Sequence, residues 1–304
     1  MESPRLLGIV PPLPTPLNPD ESVDTAGLAR LIDIQVRARV HGLWILGTTA
    51  RFDLLPDVRM REVAETAASA AAGRLPLVLN VSDQGTRRTQ ARASLFDDLA
   101  YDYYAVLPPW YQPMTRHEIT DYFLALADSL SRPIVIYNAP WVCNQLTFVE
   151  VRKLAEHPRI VGCKDVTTVL GRGLEFTVAE RRDLGFSYLH GSDQISISTD
   201  LGSDGFVSAL SNALPELSVA IWEAARSGSA ERAYKLQSQF LKIARATGFG
   251  TLHACLEVIM RHRGFLDRML PSPLRPLDSA SAQRVLDVVK AVGVFPDADP
   301  SRAS

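Results

Sequence analysis

The chain has 304 residues, of which 46% are hydrophobic and 22% charged, with a formal net charge of −2. That supports one large domain or two medium ones, and the balanced charge, with no basic tract, argues against nucleic acid as a partner. No apolar run approaches the ~18 residues of a membrane span, Met1-Glu2-Ser3-Pro4-Arg5 lacks a signal-peptide pattern, and the widely spaced Cys143, Cys163 and Cys255 make neither a disulfide framework nor a zinc site, so a soluble cytoplasmic protein is expected.

Short, mostly apolar strands are predicted at residues 7–11, 43–47, 75–81, 103–107, 134–137, 160–164, 186–190 and 205–210. Amphipathic helices are predicted between and after them, at 25–40, 57–72, 85–99, 116–131, 147–156, 168–183, 193–201 and 214–227. Strands this apolar are covered on both faces. Eight of them with helical crossovers specify an α/β chain folded as a (β/α)8 TIM barrel. A doubly wound open sheet competes, but Pro12-Leu13-Pro14-Thr15-Pro16 stands where that fold would place a glycine-rich phosphate loop. After 227 the alternation gives way to helices at 229–247, 249–262 and 279–292. The expected organisation is a catalytic barrel over 1–227 and a C-terminal helical region over 228–304.

In such a barrel the chemistry gathers at the C-terminal ends of the strands. The second strand runs into Gly47-Thr48-Thr49, the fourth into Trp110-Tyr111, the fifth into Tyr137-Asn138-Ala139-Pro140, the seventh into Gly191-Ser192-Asp193 and the eighth into Ser208. The sixth, Ile160-Val161-Gly162-Cys163-Lys164-Asp165, carries a lysine among apolar neighbours. Desolvation disfavours its charged form and leaves an amine able to attack carbonyls. The bland alternative is a lysine that snorkels to the rim. Adjacent strands lie about 4.8 Å apart, so Tyr137 and Lys164 can face one reacting centre, with the phenol as proton relay. Asp193 reads equally well as a helix cap.

These residues resemble the dihydrodipicolinate synthase / N-acetylneuraminate lyase family of pyruvate-dependent class I aldolases, over about residues 7–295. The resemblance is carried by Pro14-Thr15-Pro16-Leu17 with Val23-Asp24, Gly47-Thr48-Thr49, Tyr137-Asn138-Ala139-Pro140, Gly162-Cys163-Lys164, and Gly205-Phe206-Val207-Ser208 through Asn212 and Pro215. It implies that Lys164 forms an imine with pyruvate or another 2-oxo acid, and that Tyr137 shuttles protons. Thr48 and Thr49 would bind the carboxylate, with Thr49 also in the catalytic set. Ser208 and Gly191 are expected to contact substrate. Tyr111, with Trp110 beside it, matches an aromatic that reaches a neighbouring subunit's site. A second substrate that is an aldehyde, no metal or organic cofactor, and a tetramer built from tight dimers are implied as well.

Two departures bear on substrate. The Gly-Thr-Thr turn continues Ala50-Arg51 instead of the family's Gly-Glu. The loss restricts the backbone if a positive φ is needed at residue 50, and Arg51 either pairs with a substrate carboxylate or turns outward, with outward favoured. After the fifth strand the chain reads Trp141-Val142-Cys143-Asn144, where dihydrodipicolinate synthases proper carry a carboxylate-binding arginine that valine cannot replace. An acceptor read by Trp141 and Asn144, or an apolar or aromatic aldehyde, is expected in place of the lysine-pathway substrate. The alternatives are a dehydratase or deaminase using the same imine, and a barrel that kept its fold and lost turnover.

Overall fold

A computed structural model of the protein describes residues 5–167 and 170–293. Eight strands, β1 (Gly8–Ile9), β2 (Leu43–Ile45), β3 (Leu77–Asn80), β4 (Tyr103–Val106), β5 (Ile134–Asn138), β6 (Ile160–Asp165), β7 (Ser187–His190) and β8 (Gly205–Phe206), form one parallel sheet in the order β1-β8-β7-β6-β5-β4-β3-β2. The two ends meet where Trp44 N donates to Pro11 O (3.0 Å) and Leu13 N to Trp44 O (2.9 Å). Every strand residue except Val161 is buried, as a sheet wrapped in helices requires. The (β/α)8 expectation therefore stands.

Helices α1 (Thr25–Arg37), α2 (Asp57–Ala71), α3 (Thr86–Ser94), α4 (Arg116–Ser129), α5 (Phe148–Ala155), α6 (Val178–Asp183), α7 (Ile195–Asp200) and α8 (Pro215–Arg226) alternate with the strands. Their starts are encoded locally. Asp24 accepts from Gly27 N at 2.8 Å to cap α1, and Thr115/Glu118, Thr147/Glu150 and Thr177/Glu180 form reciprocal capping boxes on α4, α5 and α6. Three spans differ most from the sequence expectation. The helix predicted over 168–183 is a 3-10 stretch at Leu170–Glu175 followed by α6, its first two residues lying outside those described. The helix predicted over 85–99 stops at Ser94. The eighth strand ends at Phe206, because Ser208 caps a 3-10 turn over Ala209–Asn212.

The β5–β6 pairing decides which way Lys164 points. Ile134 pairs with Ile160 but Val135 with Gly162, so Val161 is an extra, bulged residue, and the shifted register sets Tyr137 opposite Lys164. Without the bulge Tyr137 would face Cys163, and the lysine would lie on the other side of the sheet. Gly162 completes the arrangement, since a Cβ there would meet Ser187 O at 2.9 Å and push β7 away.

The remaining helices, α9 (Ala230–Arg245), α10 (Leu252–His262) and α11 (Ser279–Val292), pack beyond α8. They do more than decorate the barrel. Gln237 of α9 accepts from Ser196 N (2.9 Å) and donates to Asp193 O (2.8 Å), and the start of α10 reaches the barrel mouth.

Candidate active site

Lys164 is 3% exposed and lines a cavity of about 410 Å³ at the C-terminal ends of the strands. Its Nζ lies 3.9 Å from the Tyr137 ring centroid and 5.0 Å from that of Trp44. Ring faces favour an ammonium, yet no described carboxylate acts as a charge partner to it. Burial prevails and lowers the amine's pKa to about 7. Near neutral pH a large fraction of Lys164 is therefore free amine.

Tyr137 turns its hydroxyl to Thr48 Oγ1, 2.9 Å away. Burial raises the phenol's pKa, with the Thr48 bond pulling the other way, so it stays protonated. Trp44 meets the Tyr137 ring edge-on, with centroids 5.4 Å apart and planes at 74°, and this fixes the phenol's plane. Thr48 sits in a 3-10 turn over Thr48–Ala50, held by Ala50 N on Gly47 O (3.1 Å) and Arg51 N on Thr48 O (3.1 Å). Thr49 is buried and lines the same cavity. The strained residue of this turn is Arg51, with φ 51° and ψ 48°, not Ala50. Losing a glycine at position 50 therefore carries no backbone penalty here. Arg51 closes on Asp53 through two bonds of 3.0 and 2.7 Å. It lines a neighbouring cavity and not the lysine's own.

The opposite wall is Gly191, Ser192, Asp193, Val207 and Ser208. Asp193 is no helix cap; Gln194 holds that position without a side-chain bond, while Asp193 accepts from Ser208 Oγ at 2.6 Å. Burial pushes its carboxyl up, against the pull of that bond. Trp141 is 62% exposed and forms part of the cavity's rim. Besides Arg51, two predicted residues are not brought together with the rest. Asn144 donates to Pro109 O (2.6 Å) and Gln112 O (2.8 Å) and accepts from Met114 N (3.0 Å), so its amide ties the loop after β4 to the loop after β5. Tyr111 is 81% exposed and does not line the cavity of its own chain.

His253, in the first turn of α10, was not singled out by the sequence. Its Nε2 lies 2.9 Å from Thr48 O. A carbonyl only accepts, so Nε2 carries the proton and Nδ1 is left as an acceptor. Burial lowers the ring's pKa, partly offset by the Thr48 bond. The ring thus holds the peptide whose hydroxyl holds the phenol. Trp44 was missed for another reason: within an apolar strand a tryptophan reads as core. Among the described residues no cluster of His, Cys, Asp and Glu could hold a metal ion, and no helix is long and apolar enough to cross a membrane.

A (β/α)8 barrel with a desolvated amine on its sixth strand and a hydrogen-bonded phenol on its fifth defines a class of protein whose site suits carbonyl compounds. The chain belongs to the dihydrodipicolinate synthetase family, whose sequence model matches residues 5–292. An "uncharacterized DapA-like lyase" of Halobacterium salinarum is 33% identical over 278 residues, 90% of each chain. A 4-hydroxy-tetrahydrodipicolinate synthase of Xanthomonas axonopodis pv. citri is 31% identical over 300 residues, 98% of each chain. Among solved structures, YagE, a prophage protein of this family from E. coli K12 in complex with pyruvate, superposes with a TM-score of 0.89 at 26% identity, over 95% of this chain and 99% of that one.

Proposed function

We propose that the protein is a class I carbon–carbon lyase or aldolase that joins or separates pyruvate, or another 2-oxo acid, and an aldehyde through an imine on Lys164. The observation that carries this reading is the amine itself: buried, with its pKa lowered to about 7, and packed against the ring of a phenol bonded to Thr48. Lys164 Nζ attacks the keto carbon and water leaves. The protonated imine accepts the electron pair released when a proton leaves C3, giving an enamine. The enamine carbon then attacks the aldehyde, whose oxygen takes up a proton; cleavage runs the same steps backwards. The Tyr137–Thr48 pair carries the protons, and the turn at Thr48 and Thr49 binds the carboxylate. The YagE complex supports pyruvate as the 2-oxo acid.

The activity differs from that of a dihydrodipicolinate synthase proper, because Val142 offers no guanidinium for a second carboxylate. Exposure of Tyr111 supports assembly in which a second copy receives it, as in a tetramer of tight dimers. One observation favours the dehydratase reading. Asp193 presents a carboxyl, pushed toward its protonated form, in the lysine's own cavity, where it could protonate a leaving hydroxyl.

Hydrogen–deuterium exchange at C3 of pyruvate, followed by NMR in D2O, tests the imine and enamine steps without knowledge of the aldehyde. Exchange is expected to rise with pH through about 7, as the native lysine loses its proton. Exchange at the buffer background, or an inflection near the ordinary lysine value of ~10.4, would refute the reading.

A further inference from the structure

We infer that Asp165 is a positioning residue for the proposed reaction: its carboxylate, bonded to the Asn138 amide, selects the strand register that sets Lys164 and Tyr137 on one face. This rests on the imine reading above. Side chains alternate across a strand, so the residues that follow Tyr137 and Lys164 turn to the other side of the sheet. They are Asn138 and Asp165, which pair in register and are both fully buried. Asn138 Nδ2 donates to Asp165 Oδ1 at 3.0 Å. Asp165 Oδ2 accepts from Thr167 Oγ1 at 2.8 Å and from Tyr188 OH at 3.4 Å. One carboxylate thus joins β5, the exit of β6, and β7. Asn138 carries the tie outward, since its amide also donates to Leu146 O (3.0 Å) and accepts from Leu146 N (3.1 Å). That fastens the loop after β5, whose Trp141 stands on the cavity's rim.

Packing alone does not account for this group. A buried carboxyl is costly to desolvate, and an apolar side chain of similar volume would fill the space without that cost. Its hydrogen-bond donors are an amide and two hydroxyls, and Arg172 acts on it through charge. Burial outweighs them and raises its pKa. What the network supplies is a choice between registers. The bulge at Val161 shifts β6 by one residue against β5. The apolar pattern of β6 does not enforce that shift, because Val161 and Cys163 flank Gly162 symmetrically. In the unshifted register Tyr137 would stand opposite Cys163 and Asn138 opposite Lys164, and the Asn138–Asp165 bond would be lost. A buried polar pair specifies register in this way, since the wrong pairing leaves a donor and an acceptor unsatisfied. Asp165 does not line the lysine's cavity, so it acts on the chemistry only through the two side chains it aligns.

The test measures C3 exchange of pyruvate by the full-length protein and by Asp165→Asn and Asp165→Leu, against pyruvate concentration and pH, with borohydride trapping of the pyruvate adduct alongside. Asparagine keeps an oxygen for Asn138, and the Thr167 and Tyr188 hydroxyls turn to accept from its amide. This variant is expected to retain about a third or more of the parent's maximal rate. Leucine offers no acceptor. It is expected to lose ~10–10²-fold in maximal rate, the effect of about 1 Å of misplacement, while the adduct on Lys164 forms as in the parent. The inflection is expected to stay near pH 7, because burial, and not Asp165, lowers the lysine's pKa. A damaged cavity would instead move the inflection toward the ordinary lysine value and lower trapping in step with exchange. Parent-like exchange in the leucine variant overturns the inference, as does a joint loss of exchange and trapping, or an asparagine variant as impaired as the leucine one. If the leucine variant does not fold, the Thr167→Val/Tyr188→Phe double variant, which strips both hydroxyl donors from the carboxylate, is read in its place, with a loss of roughly three-fold or more expected and the same outcomes decisive. If the parent itself shows no exchange, the imine reading fails and the inference falls with it; if the parent exchanges, that reading stands whatever the variants do.

Discussion

Lys164→Met is expected to abolish pyruvate C3 exchange and, at the same time, to make the protein more stable. Loss of exchange follows because no other described lysine lies in the cavity. The gain in stability follows from the cost of holding a lysine where burial lowers its pKa to about 7. The sign is fixed by linkage. Between about pH 7 and 10.5 the unfolded chain keeps a proton on this residue that the native chain has lost, so parent stability rises with pH across that window. Below it both states are charged and the full desolvation cost is present. Methionine has similar length and no charge to bury, so the variant should gain on the order of a few kcal/mol near pH 7. The gap should narrow as pH approaches 10. Melting temperatures of parent and variant across that range check it. A variant less stable than the parent at pH 7 would mean that the ammonium is held by partners and is not strained.

Tyr137→Phe is expected to slow turnover by about 10²–10⁴-fold, the usual range for loss of a general acid–base group, while imine trapping with pyruvate falls far less. The separation follows from geometry. The ring face that Lys164 packs on is present in phenylalanine, but the hydroxyl on Thr48 Oγ1 is not. Stopped-flow trapping set beside steady-state kinetics distinguishes the two effects. Equal turnover in the variant would remove the phenol from the proton path and shift attention to His253, whose Nε2 bond to Thr48 O leaves Nδ1 as an acceptor beside the lysine's cavity.

Much of this was legible in the sequence because a strand covered on both faces must be apolar throughout, and eight such runs stand out against amphipathic helices. Lys164 was legible for the converse reason, an amine near the end of an otherwise apolar strand. The Val161 bulge was not, because an extra β-branched residue within a β-branched run leaves the pattern unchanged, although it sets Lys164 opposite Tyr137. His253 was hidden because its partner is a backbone carbonyl 205 positions away, which carries no side-chain signature. Asn144 misled in the opposite sense. A polar amide in a loop beside the rim suggests a ligand contact, but backbone groups of the loop after β4 claim both ends of it. The Ala50-Arg51 departure looked like lost flexibility at residue 50, and only the φ angles show that the left-handed residue is the arginine.

Reduction with borohydride in the presence of pyruvate, followed by peptide mass mapping, tests the central claim most directly. The account predicts one N-(1-carboxyethyl) group per chain, on Lys164, and none in Lys164→Ala. Equal labelling of that variant, or modification spread over surface lysines with Lys164 untouched, would contradict it.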